Sequence, residues 1–278
     1  MRIYGKVRAV NKKARIISVA DKYKVSYYHL TNNTMKNFKN YLYQMPYIIF
    51  ESNKEHKYHN NIKCGEVEHF IKIFKPNMHS VQVYYDLKEI QSQIKDLMNN
   101  IDNKMFIDLE FSLVGGRNHV NEIIQYGILI EDKDGNKLFE DASLVKPIFH
   151  NSLNWQTLKF LNLYQSDFET ACNYIEFYQL MQRLINQYDP KVIAWGKNDY
   201  LSLENSFRLN HLQSLNIESR YMNLMKVMKN YYQFKQEKGL FDTYRKMAGG
   251  NISAQKHDAL EDAVIEREIF YMFKNVIN

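Results

Sequence analysis

The stretch KMFIDLEFS, residues 104–112, places two carboxylates, Asp108 and Glu110, inside an otherwise apolar and aromatic run. Because side chains in a strand alternate between faces, both acids point to one side, about 7 Å apart, and the apolar residues point to the other. Two like charges on a half-buried surface raise each other's pKa unless a cation or a basic group lies between them. The pattern therefore predicts a metal site or a salt-bridge cluster, and the alternative is an edge strand with two hydrated acids.

The pattern after residue 104 is that of an α/β domain. Strand-like segments (KMFIDLEFS, NEIIQYGILIED, KLFEDASLV and PKVIAWGK) are separated by long helical segments, which predicts a mixed sheet. The strand KVIAWGK runs directly into a helix, so Asp199 lies where open α/β sheets place their ligand sites. Considered alone, Asp199 is an ordinary first-turn acid that complements a helix dipole.

The segment QKHDALEDAVIEREIFYMF, residues 255–273, predicts a packed helix and carries His257 and Asp262 five positions apart. On one helix these two side chains would diverge by about 140°, so they converge only if His257 lies in the loop before the helix. Gly249 and Gly250 permit such a loop. A lone histidine at this position is otherwise a capping or surface residue.

These residues together resemble the DEDDh exonucleases, and the resemblance covers residues 104–275, including the second strand NEIIQYG. Five residues stand in the order of that family's three motifs: Asp108 and Glu110 in FIDLEF, Asp199 in AWGKND, and His257 and Asp262 in HDALEDA. The resemblance implies a ribonuclease H-like fold, with a mixed five-stranded sheet flanked by helices, over an exonuclease domain at residues 104–278.

The function implied by the resemblance is 3′–5′ exonuclease activity that releases nucleoside 5′-monophosphates from single-stranded nucleic acid. RNA is favoured over DNA because the WG before the third acid is most similar to the exoribonuclease branch. Two Mg²⁺ ions, which Mn²⁺ can replace, would be held by oxygen ligands, and His257 would act as the general base. The expected metal ligands are Asp108, Glu110, Asp199 and Asp262.

Four further residues are expected to contact substrate: Phe111, Ser112, Trp195 and Asn198. The sequence departs from the family here, because Phe111 precedes Ser112 where many members carry a hydroxyl pair. Two other functions stay open: a catalytically inactive nucleic-acid-binding protein, and a phosphodiesterase for dinucleotides or other small substrates. The retained acids argue against the first, and a basic N-terminal segment argues against the second.

That basic segment is residues 1–80, which hold 15 Lys and Arg against 5 acids, a balance of +10. The remainder holds 22 against 26, a balance of −4. Concentrated positive charge is typical of a polyanion partner, and a solvated basic face is the alternative. Tyrosines interleave with these cations as in proteins that bind single strands by stacking: Tyr4, Tyr23, Tyr27, Tyr28, Tyr41, Tyr43, Tyr47 and Tyr58.

The predicted element order of residues 1–75 is βββαββ, with Thr34 as a candidate helix cap. This order and charge resemble the OB-fold and, faintly, a cold-shock domain, although an unrelated small β domain fits nearly as well. Residues 1–75 are thus expected to form a small OB-like barrel that binds nucleic acid. Residues 76–103 are expected to be a linker with a helix.

The opening MRIYGKVRAV lacks the apolar core of a signal peptide, and no apolar run is long enough for a membrane span. Cys64 and Cys172 are too far apart in sequence to suggest a disulfide framework or a cysteine zinc site. We therefore expect a soluble cytoplasmic protein without a membrane partner. Its oligomeric state does not follow from these patterns.

Overall fold

The computed structural model describes residues 1–113, 121–249 and 257–278. These residues form two compact units, Met1–Gln93 and Ile94–Asn278, each built on its own sheet. The division falls within the segment 76–103. In the part of the chain that the structure describes, no helix is long and apolar enough to cross a membrane.

The first unit is a closed barrel of five strands with one helix: β1 (Arg2–Asn11), β2 (Ile16–Ala20), β3 (Val25–His29), α1 (Asn32–Leu42), β4 (Tyr47–His59) and β5 (Ile62–Pro76). Strand β1 pairs antiparallel with β2 and β4, and β5 pairs antiparallel with β4. A parallel pairing of β3 with β5 closes the barrel. This strand order, with a helix between the third and fourth strands, fits the OB-like element that the sequence predicts.

Two details of the first unit differ from the sequence prediction. The N-cap of α1 is Thr31 and not Thr34, because the Thr31 hydroxyl accepts a hydrogen bond from the Thr34 N–H at 3.1 Å. A further strand, β6 (Val81–Asp86), pairs with β5 beyond the barrel. None of the β6 residues is buried, and the sequence prediction for residues 76–103, a linker with a helix, does not include this strand.

Helix α2 (Leu87–Asn99) spans the division between the units, and the second unit continues with a sheet and seven helices in the described residues. Its strands are β7 (Lys104–Phe111), β8 (Ile123–Glu131), β9 (Lys137–Lys146), β10 (Cys172–Asn173), β11 (Lys191–Ala194) and β12 (Tyr221–Asn223). Its helices are α3 (Trp155–Leu161), α4 (Tyr174–Tyr188), α5 (Asn198–Leu209), α6 (Ile217–Arg220), α7 (Leu224–Tyr232), α8 (Leu240–Ala248) and α9 (Ala259–Ile277). Short 3₁₀ helices cover His150–Leu153 and Gln165–Phe168.

The sheet of the second unit has the order β10-β9-β8-β7-β11-β12. Strands β7, β8 and β9 pair antiparallel, whereas β11 pairs parallel with both β7 and β12. The sheet is mixed, as predicted, and has six strands in the described residues instead of five. The additional pairing comes from very short strands, since β10 has two residues and β12 has three, too few for a sequence pattern.

Helices cover both faces of this sheet. One face of β7 packs in the main core with residues of α4, including Phe177, Met181 and Leu184. The other face packs against α9, where the rings of Phe106 and Phe270 meet edge to face, 5.5 Å apart. Because β7 is covered on both sides, its side chains are held firmly in place.

Candidate active site

Strand β7 lies in the middle of its sheet, with β8 on one side and β11 on the other. The interpretation that it is an edge strand with hydrated acids is therefore wrong. Met105, Ile107 and Leu109 belong to the core cluster, as the alternation predicts. Glu110 is only 9% exposed on the opposite face, and Asp108 is half-buried beside it.

Gly127 of β8 brings α9 to these acids. It is the register partner of Asp108, and a Cβ atom built at position 127 would lie 2.3 Å from the carbonyl group of Ala259. Such a distance is far inside van der Waals contact, so only glycine allows the first residues of α9 to approach the sheet here. The glycine of the NEIIQYG segment thus places the start of α9 beside Asp108.

Helix α9 presents an acidic row on its buried face. Asp262 and Glu266 lie four residues apart on this face and are buried, and the apolar Phe270 continues the same face one turn later. The Asp258 side chain caps the helix by accepting hydrogen bonds from the N–H groups of Leu260 and Glu261. The helix therefore begins two residues after His257, which lies outside it, as the five-residue spacing requires.

His257 adopts a left-handed backbone conformation, with φ of 53°. Its Nδ1 atom lies 3.7 Å from Glu110 Oε1, and its ring packs against Phe160 with centroids 4.1 Å apart. Ligand atoms of Glu110, His257 and Asp262 all lie within 4.8 Å of one another. Gly250, which the sequence places in the preceding loop, lies outside the described residues.

Asp199 joins the same cluster from the first turn of α5 and is 4% exposed. Its Oδ1 atom accepts a hydrogen bond from the Leu109 N–H of β7 at 3.2 Å. Asp199 does lie in the first turn of α5, but the alternative interpretation, an ordinary first-turn acid that complements the helix dipole, does not account for its burial or for the bond from Leu109. The structure therefore brings all five sequence-predicted residues of the three motifs to one place.

Burial and mutual repulsion dominate the electrostatics of this cluster. Burial, followed by the neighbouring Asp262 and Asp199, raises the pKa of Glu110 to about 7. Burial also raises the pKa of Asp199 to about 7, despite the hydrogen bond from Leu109. Burial and the charges of Asp199, Asp262 and Glu110 raise the pKa of Asp108 well above its usual range.

This charge pattern fits a cation site better than a salt-bridge cluster. Within the described ranges, Asp108, Glu110 and Asp199 form no ion pair with a lysine or arginine. Several buried carboxylates without a basic partner repel one another, and a bound cation removes that repulsion. Carboxylate oxygens are the ligands that Mg²⁺ and Mn²⁺ prefer, so the donor set suits these ions.

A cleft of about 460 Å³ opens onto the acids. Its walls include Asp108, Asp262, Trp195, the first residues of α8 and Arg245 in the last turn of that helix. Trp195 is fixed there, because its indole N–H donates to the Lys238 carbonyl at 3.0 Å. The cleft therefore gives a ligand access to the carboxylates.

The other three expected substrate contacts lie in different environments. Asn198 is exposed at the first position of α5. Phe111 is partly buried and packs against the main core. Ser112 is completely buried, and its Oγ accepts a hydrogen bond from the Glu122 N–H at 2.9 Å, so its hydroxyl is engaged within the fold.

Comparison with known proteins relates this unit to nucleases by structure. No family model matches the sequence, and no curated protein matches it. The nuclease domain of 3′hExo, a DEDDh family member bound to rAMP, aligns with a TM-score of 0.55 and 17% identity over 63% of this chain and 94% of that domain. The second unit has the fold of the DEDDh exonucleases.

Two further structures share this DEDDh fold. A 3′-exonuclease that recognises the 3′ end of a histone mRNA stem-loop aligns with a TM-score of 0.52 and 17% identity, over 63% of this chain and 83% of that chain. Cell-death related nuclease 4 aligns with a TM-score of 0.53 and 18% identity, over 64% of each chain. The ribonuclease H-like fold predicted from the sequence is confirmed.

Sequence reasoning missed one residue of this acidic cluster. Glu266 is completely buried, and its Oε1 atom accepts a hydrogen bond from the Trp195 N–H at 2.7 Å. Burial and the charges of Asp108 and Asp199 raise its pKa well above the usual range. The sequence could have indicated Glu266, because it lies four residues after Asp262 and this spacing places both acids on one helix face.

Proposed function

We propose that this protein is a metal-dependent 3′–5′ exonuclease that releases nucleoside 5′-monophosphates from single strands, with RNA favoured over DNA. The observation that carries the proposal is the convergence of Asp108, Glu110, Asp199, Asp262 and His257 beside one cleft, on a DEDDh-type fold. The rAMP bound to the 3′hExo domain is a nucleoside 5′-monophosphate, and the stem-loop of the related 3′-exonuclease is RNA. Both are consistent with the proposed product and substrate.

Two Mg²⁺ ions, replaceable by Mn²⁺, would be held by Asp108, Glu110, Asp199 and Asp262. Bound there, they would supply positive charge at the scissile phosphate, where the displacement develops negative charge. Buried carboxylates offset the charge of the ions and exclude competing anions from the site. The Leu109 N–H fixes the orientation of Asp199, so at least one carboxylate is positioned before any cation arrives.

His257 would accept the proton of the attacking water. Burial lowers its pKa below 6.5, so at neutral pH the imidazole is uncharged and able to accept a proton. The Phe160 ring supports one face of the imidazole. Glu110, 3.7 Å away, stabilises the imidazolium once the proton has moved.

The barrel would bind the strand upstream of the cut. Tyr4, Tyr47 and Phe74 form a row of nearly parallel rings across β1, β4 and β5, with centroids 6.0 and 5.8 Å apart. The Lys6 ammonium lies 5.7 Å from the centre of the Tyr47 ring. We call these three rings and Lys6 the aromatic surface, because successive bases can stack on such rings while a cation binds phosphate.

The tyrosines of the basic segment divide between the surface and the core. Tyr28 packs inside the barrel, where its ring contacts Phe50. The exposed tyrosines are Tyr4, Tyr23, Tyr27, Tyr41, Tyr43 and Tyr58. Exposure of so many rings among cations supports single-stranded nucleic acid as the partner. The place of action that we propose is the cytoplasm.

The experiment compares matched RNA and DNA single strands labelled at the 5′ end. With Mg²⁺, we expect progressive shortening from the 3′ end, faster on RNA, with nucleoside 5′-monophosphates as the products. Dinucleotides as the sole cleaved substrate would instead indicate a small-substrate phosphodiesterase. Binding without cleavage would indicate an inactive nucleic-acid-binding protein.

A further inference from the structure

Three potential metal ligands meet in the first unit, which contains none of the residues of the proposed nuclease centre. They are His29 at the end of β3, His59 at the end of β4 and Glu66 on β5. One potential ligand atom from each lies within 4.8 Å of the other two. The three residues come from the three strands that meet where the barrel closes, since His29 and Glu66 form a register pair of the parallel β3–β5 pairing.

Glu66 holds the two histidines together. Its Oε2 atom lies 3.1 Å from His29 Nδ1, and its Oε1 atom is hydrogen-bonded to His59 Nε2. The imidazole rings are stacked, with centroids 3.7 Å apart and an interplanar angle of 7°. One carboxylate therefore faces two imidazole nitrogens, which is the donor set of a His₂Glu metal site.

The buried ring of His29 is only partly hydrogen-bonded. His29 is 8% exposed, and its Nε2 atom has no hydrogen-bond partner among the residues that the structure describes. Each imidazole nitrogen is a donor or an acceptor, and leaving one buried without a partner costs free energy. The contact with Glu66 through Nδ1 therefore satisfies only one of the two nitrogens of this buried ring.

We propose that His29, His59 and Glu66 form a binding site for a divalent transition metal, with Zn²⁺ as the ion that suits it best. Imidazole and carboxylate together favour Zn²⁺ over Mg²⁺, which prefers oxygen ligands alone. Three protein ligands leave a fourth position for water in a tetrahedral site. The inference does not depend on the proposed nuclease activity.

Binding requires a small local rearrangement. In a tetrahedral Zn²⁺ site the ligand atoms lie roughly 3.4 Å apart, whereas the Glu66 oxygens are already within hydrogen-bond distance of the two imidazole nitrogens. Each hydrogen-bonded pair must therefore separate slightly, and the parallel rings must open to direct both nitrogens at one ion. His59 is the side chain that can move, because 28% of its side-chain surface is exposed, whereas the side chain of His29 is 10% exposed. Since the ion would join β3, β4 and β5, it should stabilise the barrel against unfolding.

The test measures Zn²⁺ binding by the full-length protein after treatment with a chelator. Bound zinc is counted in wild type, His59→Ala, Glu66→Gln and the control His56→Ala, which removes an exposed histidine of β4 outside the cluster. We expect wild type and His56→Ala to bind one more equivalent than His59→Ala and Glu66→Gln. The same difference is expected in an Asp108→Asn background, which separates this site from the carboxylate cluster.

Two measurements on wild type keep the test valid if a variant does not fold. In NMR spectra, His29 and His59 can be identified as the two imidazoles that show a mutual through-space contact, because their rings are stacked. One equivalent of Zn²⁺ should shift the signals of both. Zn²⁺ in the presence of excess Mg²⁺ should also raise the thermal midpoint of the barrel. Unchanged imidazole signals, or equal zinc content in wild type and Glu66→Gln, would overturn the proposal and leave a hydrogen-bonded triad.

Discussion

Asp108 of β7 lies directly opposite Gly127 of β8, and the absence of a side chain at Gly127 is what admits α9 to the site. Helix α9 carries Asp262 and begins just after His257. Gly127 therefore determines how closely both of these residues approach the acids of β7. The geometry of the cluster therefore depends on a residue that has no chemical role of its own.

Replacing this glycine tests that dependence. In Gly127→Ala, the added methyl group would lie 2.3 Å from the Ala259 backbone, so α9 must move away from β7. We expect a loss of about 1–3 kcal/mol in the free energy of unfolding. Displacement of His257 and Asp262 by about 1 Å should lower the turnover number about 100-fold. Denaturant unfolding and oligonucleotide cleavage measure the two effects.

Gly239→Ala is the matched control for stability. Its φ is −64°, and the nearest atom to an added Cβ is 3.9 Å away, so the methyl group fits without displacing the backbone. The cost at this helix N-cap should stay within roughly 1 kcal/mol. Equal losses for both variants would show that the approach of α9 does not depend on Gly127.

The pKa shifts predict how pH affects stability without metal. Folding raises the pKa of Glu110 and Asp199 to about 7 from values near 4 in the unfolded chain. Between these values the folded state binds more protons, so the free energy of unfolding falls as pH rises from about 4 to about 7. In a chelator, we expect a higher thermal midpoint at about pH 5 than at about pH 8.

Glu110→Gln provides the control for this pH dependence. The variant removes one of the shifted carboxylates, so its thermal midpoint should fall less steeply with pH than that of wild type. Adding Mg²⁺ at about pH 8 should raise the midpoint of wild type more than that of the variant, because the ion offsets the repulsion. Identical pH profiles for both proteins would contradict the assignment of repulsion to this cluster.

His257 should affect the chemical step and not substrate binding. We expect His257→Ala to lower the turnover number by about 10² to 10⁴, while oligonucleotide affinity in Mg²⁺ stays unchanged. In wild type, the rate should fall as pH drops through the histidine's pKa, which burial places below 6.5. Single-turnover kinetics across pH measure both effects.

The control is His211→Ala, which removes an exposed histidine at the end of α5. It should leave both the rate and its pH profile unchanged. A His257→Ala protein with the turnover of wild type would contradict the role of His257 as the base.

The aromatic surface should set affinity for long strands. Tyr47→Ala removes the central ring of the row, and we expect a loss of about 1–3 kcal/mol in binding strands of tens of nucleotides. Lys6→Ala should reduce the slope of log K against log salt concentration by about 0.7, the value for one phosphate contact on a single strand. A salt series with a long strand and with a dinucleotide measures both.

Tyr164→Ala is the matched control, because Tyr164 is an exposed tyrosine of the second unit, outside the basic segment. It should bind long strands as wild type does, and dinucleotide binding should be unchanged in every variant. If the affinity and salt slope of Lys6→Ala and Tyr47→Ala equalled those of wild type, the basic face would be a solvated surface.

The elements with strong patterns were predictable from the sequence. The alternation in KMFIDLEFS predicts which side of β7 is apolar, and the five-residue spacing of His257 and Asp262 predicts the loop before α9. The shortest elements were not predictable, as β10 and β12 show, and β6 was not predicted although VQVYYD has a strand-like pattern. The choice of Thr31 over Thr34 as a cap also depends on backbone geometry, since both residues have the same side chain.

Burial of polar groups was the least predictable property of the site. Ser112 follows the first motif and suggests a substrate contact, yet long-range pairing with Glu122 buries it. Glu266 belongs to an ordinary helical sequence, and only the packing of α9 on β7 makes it part of the acidic cluster. Such environments arise from contacts between distant segments, which local patterns do not encode.

The most direct test of the nuclease centre is cleavage of a 5′-labelled single strand by wild type and by Asp108→Asn, with Mg²⁺ and with a chelator. Asp108→Asn keeps the shape of the side chain and removes the central charge of the cluster. We predict 3′ shortening by wild type in Mg²⁺, and almost none by Asp108→Asn or in the chelator. Shortening by Asp108→Asn at the rate of wild type, or full activity in the chelator, would contradict the assignment of the catalytic centre to these carboxylates.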